Sequence, residues 1–387
     1  MWEHAGVTAH AHDEARWQYL ILWRYRALSL ALLGLLAVGF GVVGGTHIAT
    51  SVQTAQVYQK ARTLASLSSA LTGLAAHLQD ERDQTMSYIG LGTEGRAGAL
   101  SHTPGTASAQ NLTVVTQEQK LTAPWVQKVR TESAQIGAGY SAQVQQSARD
   151  VVGLLGLLGP NRKAATQSRL PAVVVMQSYT SLIDGLLSLD HKIALGSGDA
   201  ALSGDVASLN LVSLIGEEAS EQRGLLAYAF AQDGKFEAAV LSGVQTAQEQ
   251  QNANVAEFNR VATPQQVARY QNRVQGTLVD FASSYEEQAI QVGLAGQGLN
   301  VLPTTANQWY GAMTTGTIGG IRAAEQDLVT ATIARASALR RSAIVAASVI
   351  GAALVLALVL ALLLATLVGR HILGERRTPS LRTTALG

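Results

Sequence analysis

Arg82 and Arg223 each stand where a helical repeat of apolar residues calls for a hydrophobic side chain. Apolar residues recur in steps of three and four on both sides of each arginine. They are Leu64, Leu67, Leu71, Leu74, Leu78, Met86 and Ile89 around the first, and Val212, Ile215, Ala219, Leu226 and Phe230 around the second. A guanidinium is planar, and its fixed fork of donors suits planar oxyanions such as carboxylate or nitrate. The pattern predicts two buried arginines that each need an anion.

The sequence leaves open which anion that is. Burial of an arginine costs several kcal/mol unless the charge is paired, so either a ligand or a protein carboxylate must be present. In one hypothesis a single small anion bridges both arginines and draws their helices together. In the other, each arginine is held in an internal ion pair. The candidates are Asp80, Glu81 or a facing carboxylate for Arg82, and Glu217, Glu218 or Glu221 for Arg223.

Two long uncharged segments indicate that the chain is anchored in a membrane. Of its 387 residues 47% are hydrophobic and only 14% are charged, and the mean hydropathy is +0.15. Residues 27–45 and 343–368 carry no charge, and each segment can cross a bilayer as a helix. We therefore predict transmembrane helices at 27–48 and 342–368. A cleaved signal peptide is the alternative for the first segment.

The positions of the arginines favour cytoplasmic tails at residues 1–26 and 369–387. Arginine is common on the cytoplasmic side of membrane helices. Three arginines precede the first span and four follow the second, whereas three more lie on the outer side of the second span and weaken the prediction. The arginines before the first span are Arg16, Arg24 and Arg26, and those after the second span are Arg370, Arg376, Arg377 and Arg382. Those on the outer side of the second span are Arg335, Arg340 and Arg341.

Several functional classes receive no support from the composition. The net charge of +1 and the lack of a basic domain give no nucleic-acid signal. Cysteine is absent, and the eight histidines show no metal-ligand spacing. No P-loop, nucleophile elbow, dinucleotide-binding fingerprint or kinase glycine loop is present. We expect no enzyme activity, no metal and no cofactor.

The region between the predicted spans, 49–341, is rich in helix-forming residues interrupted by glycine and proline. An all-α domain of two stacked four-helix bundles, flanked by the two membrane helices, is the predicted fold. Counting the spans and one kinked segment separately gives eight helices. The segments are a helix to about Leu91, Val114–Leu158 interrupted or kinked near Pro124 and ending at Gly159-Pro160, 164–195, 200–232, 235–262, one from Pro264 to the glycines at 293–298, and one from Thr305 through Arg341 into the second span.

The last of these helices begins with a cluster of aromatic residues and also carries an arginine. Trp309 and Tyr310 are predicted to pack in the core rather than to line a ligand site. Arg322 lies off the local apolar stripe, so we expect it at the rim of the domain or in solvent.

These motifs together resemble the nitrate- and nitrite-sensing (NIT) domain of bacterial receptors, over about residues 50–340. The residues that carry the resemblance are Leu78-Gln-Asp-Glu-Arg82 with Tyr88, Glu221-Gln-Arg223-Gly-Leu-Leu with Phe236, and Trp309-Tyr310 with Arg322. The resemblance implies an external domain of two four-helix bundles that binds nitrate or nitrite between helices. It implies Arg82, Arg223 and Arg322 as ligand-binding residues.

The resemblance also implies a place in signalling. Receptors of this kind often continue into a HAMP linker and a histidine kinase, and Arg377-Thr-Pro379-Ser-Leu381 looks like the opening of a HAMP helix. The expectation is a two-pass receptor in the bacterial plasma membrane with both termini cytoplasmic. It would form a homodimer and signal to a separate histidine kinase or another cytoplasmic output protein. The alternatives are a membrane-anchored helical scaffold that binds a protein partner, and a sensor of another small anion such as a carboxylate.

Overall fold

Helices form all the regular secondary structure in the part of the chain that the structure describes. The structure is a computed structural model, and it describes residues 59–60, 62–92, 107–167, 170–195 and 200–374. These residues contain ten α-helices and no strand, which confirms the all-α prediction. The predicted first span at 27–48, the tail at 1–26 and the HAMP-like residues after 374 lie outside the described residues.

The ten helices are numbered here in chain order. They are α1 (62–90), α2 (Ala107–Ala134), α3 (Ala142–Gln167), α4 (Ala172–Leu195), α5 (Ala200–Ala231), α6 (Ala238–Val261), α7 (Pro264–Arg273), α8 (Thr277–Leu294), α9 (Ala306–Ala312) and α10 (Gly319–Gly374). A short 3₁₀ turn, Leu299–Val301, follows α8, and a π-helical segment, Met313–Ile318, joins α9 to α10.

The prediction of a second helix at Val114–Leu158 is wrong about where the helix is interrupted and where it ends. Pro124 lies inside α2 and Pro160 lies inside α3, so neither proline interrupts its helix. The chain instead turns at 135–141, where Gly137 and Gly139 lower helix propensity. In α3, the buried residues on both sides of Pro160 together compensate for the backbone hydrogen bond that the proline removes.

The helix predicted to start at Pro264 is in fact two helices. Thr263 and Gln266 form a capping box at the start of α7, with Pro264 in the first turn as predicted. The break comes at Gly276, whose φ of 104° is accessible to glycine and strained for other residues. The prediction of a long final helix is confirmed, because Thr305 caps α9 and the helix continues through the π-helical segment into α10.

Residues 57–338 form one compact unit, and it contains two hydrophobic cores. The first core combines the first half of α1 with α2, α3 and α4. The second combines the end of α1 with residues of α2 to α10. Leu78 belongs to the first core and Met86 to the second. Arg82 therefore lies on α1 at the point where one core gives way to the other.

Two described helical segments are long and apolar enough to cross a membrane, judged by length and composition alone. Ala172–Lys192 in α4 is half-buried inside the unit 57–338, as expected of a core helix. None of the described side chains of Ile344–Leu364 in α10 is buried, and the segment falls within the predicted span 342–368. The membrane topology stays a prediction.

Candidate functional site

Arg82 is fully buried, and all of its donor nitrogens have protein partners. Nε donates to Asp83 Oδ1 at 3.2 Å, and Nη2 donates to Ser220 Oγ at 3.2 Å. Nη1 donates to Thr180 Oγ1 at 2.8 Å and to the Glu217 carboxylate. Helices α1, α4 and α5 thus meet at this guanidinium. The burial predicted from the apolar stripe is confirmed.

Arg223 of α5 is also buried, and it faces α1 and the π-helical segment. Nε donates to Asp83 Oδ2 at 2.8 Å, and Nη2 donates to Asp80 Oδ1 at 2.7 Å. Nη1 donates to Thr314 Oγ1 at 3.1 Å, and the guanidinium carbon lies 5.2 Å from the centroid of the Tyr310 ring. The predicted core role of Tyr310 is therefore incomplete, since its ring also contacts a buried cation.

Arg322, on the first turn of α10, binds the outer side of Asp80. Its Nη1 donates to Asp80 Oδ2 at 2.8 Å, and its Nη2 donates to Asp80 Oδ1 at 2.9 Å and to the Ala76 carbonyl at 2.8 Å. The side chain is 31% exposed, in keeping with the predicted rim position. Its Nε is buried and has no hydrogen-bond partner within the described residues.

These contacts join the three arginines into one network of alternating charges. In order along the network the groups are Glu217, Arg82, Asp83, Arg223, Asp80 and Arg322. Asp80 and Asp83 are three residues apart on α1 and share a helix face. Each aspartate bridges two arginines. The network therefore ties α1, α5 and α10 to one another, and the structure brings together all three sequence-predicted site residues.

The hypothesis of internal ion pairs is correct for these arginines in the structure, but the predicted partners of Arg223 are wrong. Glu217, Glu218 and Glu221 were expected to pair with Arg223, yet its partners lie on α1. The reason is helical geometry, because residues three or four apart share a face and these glutamates are two, five and six residues away. Glu217 pairs instead with Arg82, and it is the facing carboxylate that the sequence could not identify.

Burial and ion pairing act in opposite directions on the carboxylates of the network. Burial alone raises the pKa of Asp80, but Arg322 and Arg223 together bring it below its ordinary value. Burial dominates at Glu217 and raises its pKa to about 7, although Arg82 opposes the shift. Asp80 is thus ionised at neutral pH.

A second, smaller set of contacts supports the same region of α1. Arg162 of α3 donates to both carboxylate oxygens of Glu81, from Nε at 2.7 Å and from Nη2 at 2.6 Å. The Tyr179 hydroxyl donates to Glu81 Oε1 at 2.9 Å. Sequence reasoning missed Arg162 because it ended the second helix at Pro160. The run of three charged residues at 81–83 inside an apolar stripe was the available signal.

A cavity of about 190 Å³ opens beside Asp80 and Arg322. Thr72, His77, Trp125 and Glu325 are among its other lining residues. Burial lowers the pKa of His77. Asp80 opposes this shift and Arg322 adds to it, so the pKa remains below its ordinary value and a neutral imidazole is favoured. The cavity gives a small ligand access to Asp80 and Arg322.

Trp309 has a different place from Tyr310, its neighbour in the sequence. Its side chain is fully buried, with ring centroids 5.8 Å from Tyr285 and 6.1 Å from Phe230. These distances are typical of packed aromatic pairs. The prediction that Trp309 packs in the core is confirmed.

Comparison with known proteins agrees with the arginine motifs. The sequence profile of the NIT family, described as nitrate and nitrite sensing, matches residues 73–333, more than half of the chain. The chain belongs to this family. Its fold is similar to that of the NasR transcription antiterminator, with a TM-score of 0.58 and 19% sequence identity over 78% of this chain and 81% of that one. No curated protein matched the sequence. The matched region includes Arg82, Arg223 and Arg322.

Proposed function

We propose that this NIT-family protein is a transmembrane receptor for nitrate or nitrite. Its extracytoplasmic domain, 49–341, binds the anion at the arginine network and passes a conformational signal through the second membrane helix, 342–368. The observation that carries this proposal is the position of Arg322. This residue ends the charge network and stands on α10, the helix that also contains the exposed apolar segment Ile344–Leu364.

The network offers a physical route from ligand to helix. Asp80 holds Arg322 to α1, and Thr314 holds the π-helical segment to Arg223. An anion that binds the guanidinium groups changes the set of contacts that hold α10 in place. A ligand shifts a conformational equilibrium by as much as it prefers one arrangement over the other. π-helical segments are rare and often stand at functional sites, which fits a movable junction at Met313–Ile318.

Within the site we assign different tasks to the three arginines. Arg322 lines the cavity and contacts the anion directly. Arg223 is as buried as Arg82, but one of its partners, Asp80, lines the cavity, so Arg223 can contact the anion when Asp80 moves away. All donor nitrogens of Arg82 are used by protein groups, and no side-chain surface is exposed. Arg82 therefore positions Arg223 through their shared partner Asp83.

The proposed receptor has the architecture expected from the sequence. Its two hydrophobic cores would correspond to two stacked four-helix bundles. Membrane helices flank the bundles, both termini lie in the cytoplasm of a bacterial cell, and the receptor works as a homodimer. The HAMP-like tail passes the signal to a separate histidine kinase or another cytoplasmic output protein.

Calorimetric titration of the full chain in lipid nanodiscs tests this function. Nitrate or nitrite should bind, and Arg322→Ala should weaken the affinity by at least about tenfold because charge-assisted hydrogen bonds are lost. Arg260→Ala is the matched control, since Arg260 is an exposed arginine that pairs only with nearby Glu257. Absence of binding, or equal affinities in the wild type and Arg322→Ala, would overturn the proposal.

A small carboxylate is a second candidate ligand. The observation in its favour is that Arg223 and Arg322 hold a carboxylate, that of Asp80, in the structure. Formate and acetate belong in the same titration series. If either binds more tightly than nitrate and nitrite, the receptor is a carboxylate sensor that uses the same arginines.

A further inference from the structure

Asp80 already occupies the donor groups that a bound anion would use. Both of its carboxylate oxygens accept hydrogen bonds from Arg322, and Oδ1 also accepts one from Arg223. A carboxylate and a nitrate ion are both planar and spread one negative charge over oxygens that accept paired hydrogen bonds. An arginine fork that holds one can therefore hold the other.

Geometry makes Asp80 the replaceable partner of these arginines. Its side chain is 24% exposed and lines the 190 Å³ cavity. The cavity also exposes part of Arg322, whose buried Nε has no partner within the described residues. A small anion in this cavity lies next to Arg322 and competes directly with the Asp80 carboxylate.

Asp83, one turn further along α1, lacks this access. Its side chain is 0% exposed, and it accepts hydrogen bonds from Arg82, Arg223 and Ser220. A Cβ atom on Gly224 would come within 2.7 Å of its Oδ1, so the chain leaves space for this carboxylate. Asp83 is thus enclosed by protein on every side that the contacts describe.

We propose that Asp80 is a built-in competitor, an internal carboxylate that a planar oxyanion displaces from Arg223 and Arg322 when it binds. When Asp80 is displaced, Arg322 binds the ligand instead of Asp80, so α10 loses the hydrogen bonds between Arg322 and the Asp80 carboxylate of α1. Asp80 then sets both the affinity of the site and its preference for small planar anions. This inference rests on the proposed function, because it concerns the same site.

The test is the affinity of Asp80→Asn for nitrate in the full chain, measured by calorimetry in lipid nanodiscs. Asparagine keeps the size of the side chain but removes the charge that competes with the ligand. We expect the affinity for nitrate to rise about tenfold or more, because the ligand no longer competes with a charge-assisted hydrogen bond from the arginines to Asp80. We also expect nitrate to raise the melting temperature of Asp80→Asn more than that of the wild type.

Glu118→Gln is the matched control for the loss of a negative charge. Glu118 interacts electrostatically with Asp80, Arg223 and Arg322, and the described contacts include no hydrogen bond from either arginine to it. Its removal changes the local potential without freeing the donor groups. We expect a gain in affinity of about threefold or less, as for a screened charge.

The outcomes separate this inference from the proposed function. If the wild type binds nitrate, Arg322→Ala weakens binding by at least about tenfold, and Asp80→Asn gains no more than Glu118→Gln, the proposed function stands and the competitor role is wrong. If neither the wild type nor Asp80→Asn binds nitrate, both fail. Should Asp80→Asn not fold, Asp80→Ser serves as the second variant, with the same expected gain.

Discussion

Asp80 and Asp83 present the same chemistry in two different settings. Both lie on one face of α1, and each bridges two arginines. Asp83 is enclosed between α1 and α5, whereas Asp80 borders a cavity and accepts a hydrogen bond from Arg322 of α10. The difference teaches that burial, rather than charge pairing itself, divides a structural ion pair from an exchangeable one.

Physical cost explains this division. A carboxylate enclosed with two guanidinium groups cannot leave without stranding both cations in a low-dielectric interior. A carboxylate at a cavity can exchange for a small anion, since water and ligand both reach its arginine partner. The ion pairs of Asp83 fix the position of Arg223, and we propose that the ion pairs of Asp80 exchange with a ligand.

Substitution of the two aspartates should produce the largest contrast in stability. Asp83→Ala leaves Arg82 and Arg223 without their shared carboxylate, and we expect the free energy of unfolding to fall by about 3–5 kcal/mol. Asp80→Ala should cost about 1–2 kcal/mol, because Arg322 regains contact with water. Thermal and denaturant unfolding of the full chain in detergent measures both. Equal losses would break the distinction between the two carboxylates.

A buried carboxylate without an arginine extends the comparison to pH. Burial, and to a lesser degree Glu287, raises the pKa of Glu286 in α8 to about 8. The unfolded chain releases this proton near pH 4.5, so the contribution of Glu286 to stability is greatest below that pH and is lost as the pH rises through about 8. Glu286→Gln should reduce the decrease in the free energy of unfolding over this pH range by on the order of 3 kcal/mol.

Unfolding measured between pH 5 and about 9 checks this prediction, with the exposed neighbour variant Glu287→Gln as the control. The control should leave most of the pH dependence in place. An unchanged pH profile in Glu286→Gln would mean that the raised pKa belongs to other buried acids, such as Glu218, whose pKa burial raises to about 8.

Gly224 gives a smaller and more local test of the inner site. A Cβ atom there would lie 2.7 Å from Asp83 Oδ1 and 3.4 Å from the Met176 methyl group. Gly224→Ala should lower stability by about 1–2 kcal/mol although alanine favours helices, because overpacking outweighs propensity. Gly153→Ala in α3, where a Cβ meets no atom within 4 Å, should instead stabilise by up to about 1 kcal/mol. A stabilising Gly224→Ala would show that Asp83 is not confined.

The sequence reveals the arginines of the site but not their partners. Helical periodicity places Arg82 and Arg223 on core faces, since side-chain direction follows from spacing along one helix. Their partners, Asp80, Asp83 and Glu217, depend on how α1 and α5 pack against each other. Packing of two helices is a long-range property that no local pattern contains. The cavity beside Arg322 escaped sequence reasoning for the same reason.

Helix boundaries show a similar limit. Glycine and proline predicted breaks at Pro124 and Gly159-Pro160, yet α2 and α3 continue through both prolines. Burial of residues on both sides of Pro160, such as Leu158 and Ala165, holds α3 together across it. The predicted helix starts at Pro264 and near Thr305 are confirmed, and the structure shows a capping box at each, formed by Thr263 and Thr305.

An experimental structure of the full chain with nitrate tests the central claim most directly. The claim predicts the anion within hydrogen-bond distance of Arg223 and Arg322, with the Asp80 carboxylate turned away from both guanidinium groups and Asp83 still bridging Arg82 and Arg223. A structure in which nitrate is bound elsewhere, while Asp80 keeps its hydrogen bonds to Arg223 and Arg322, would contradict it.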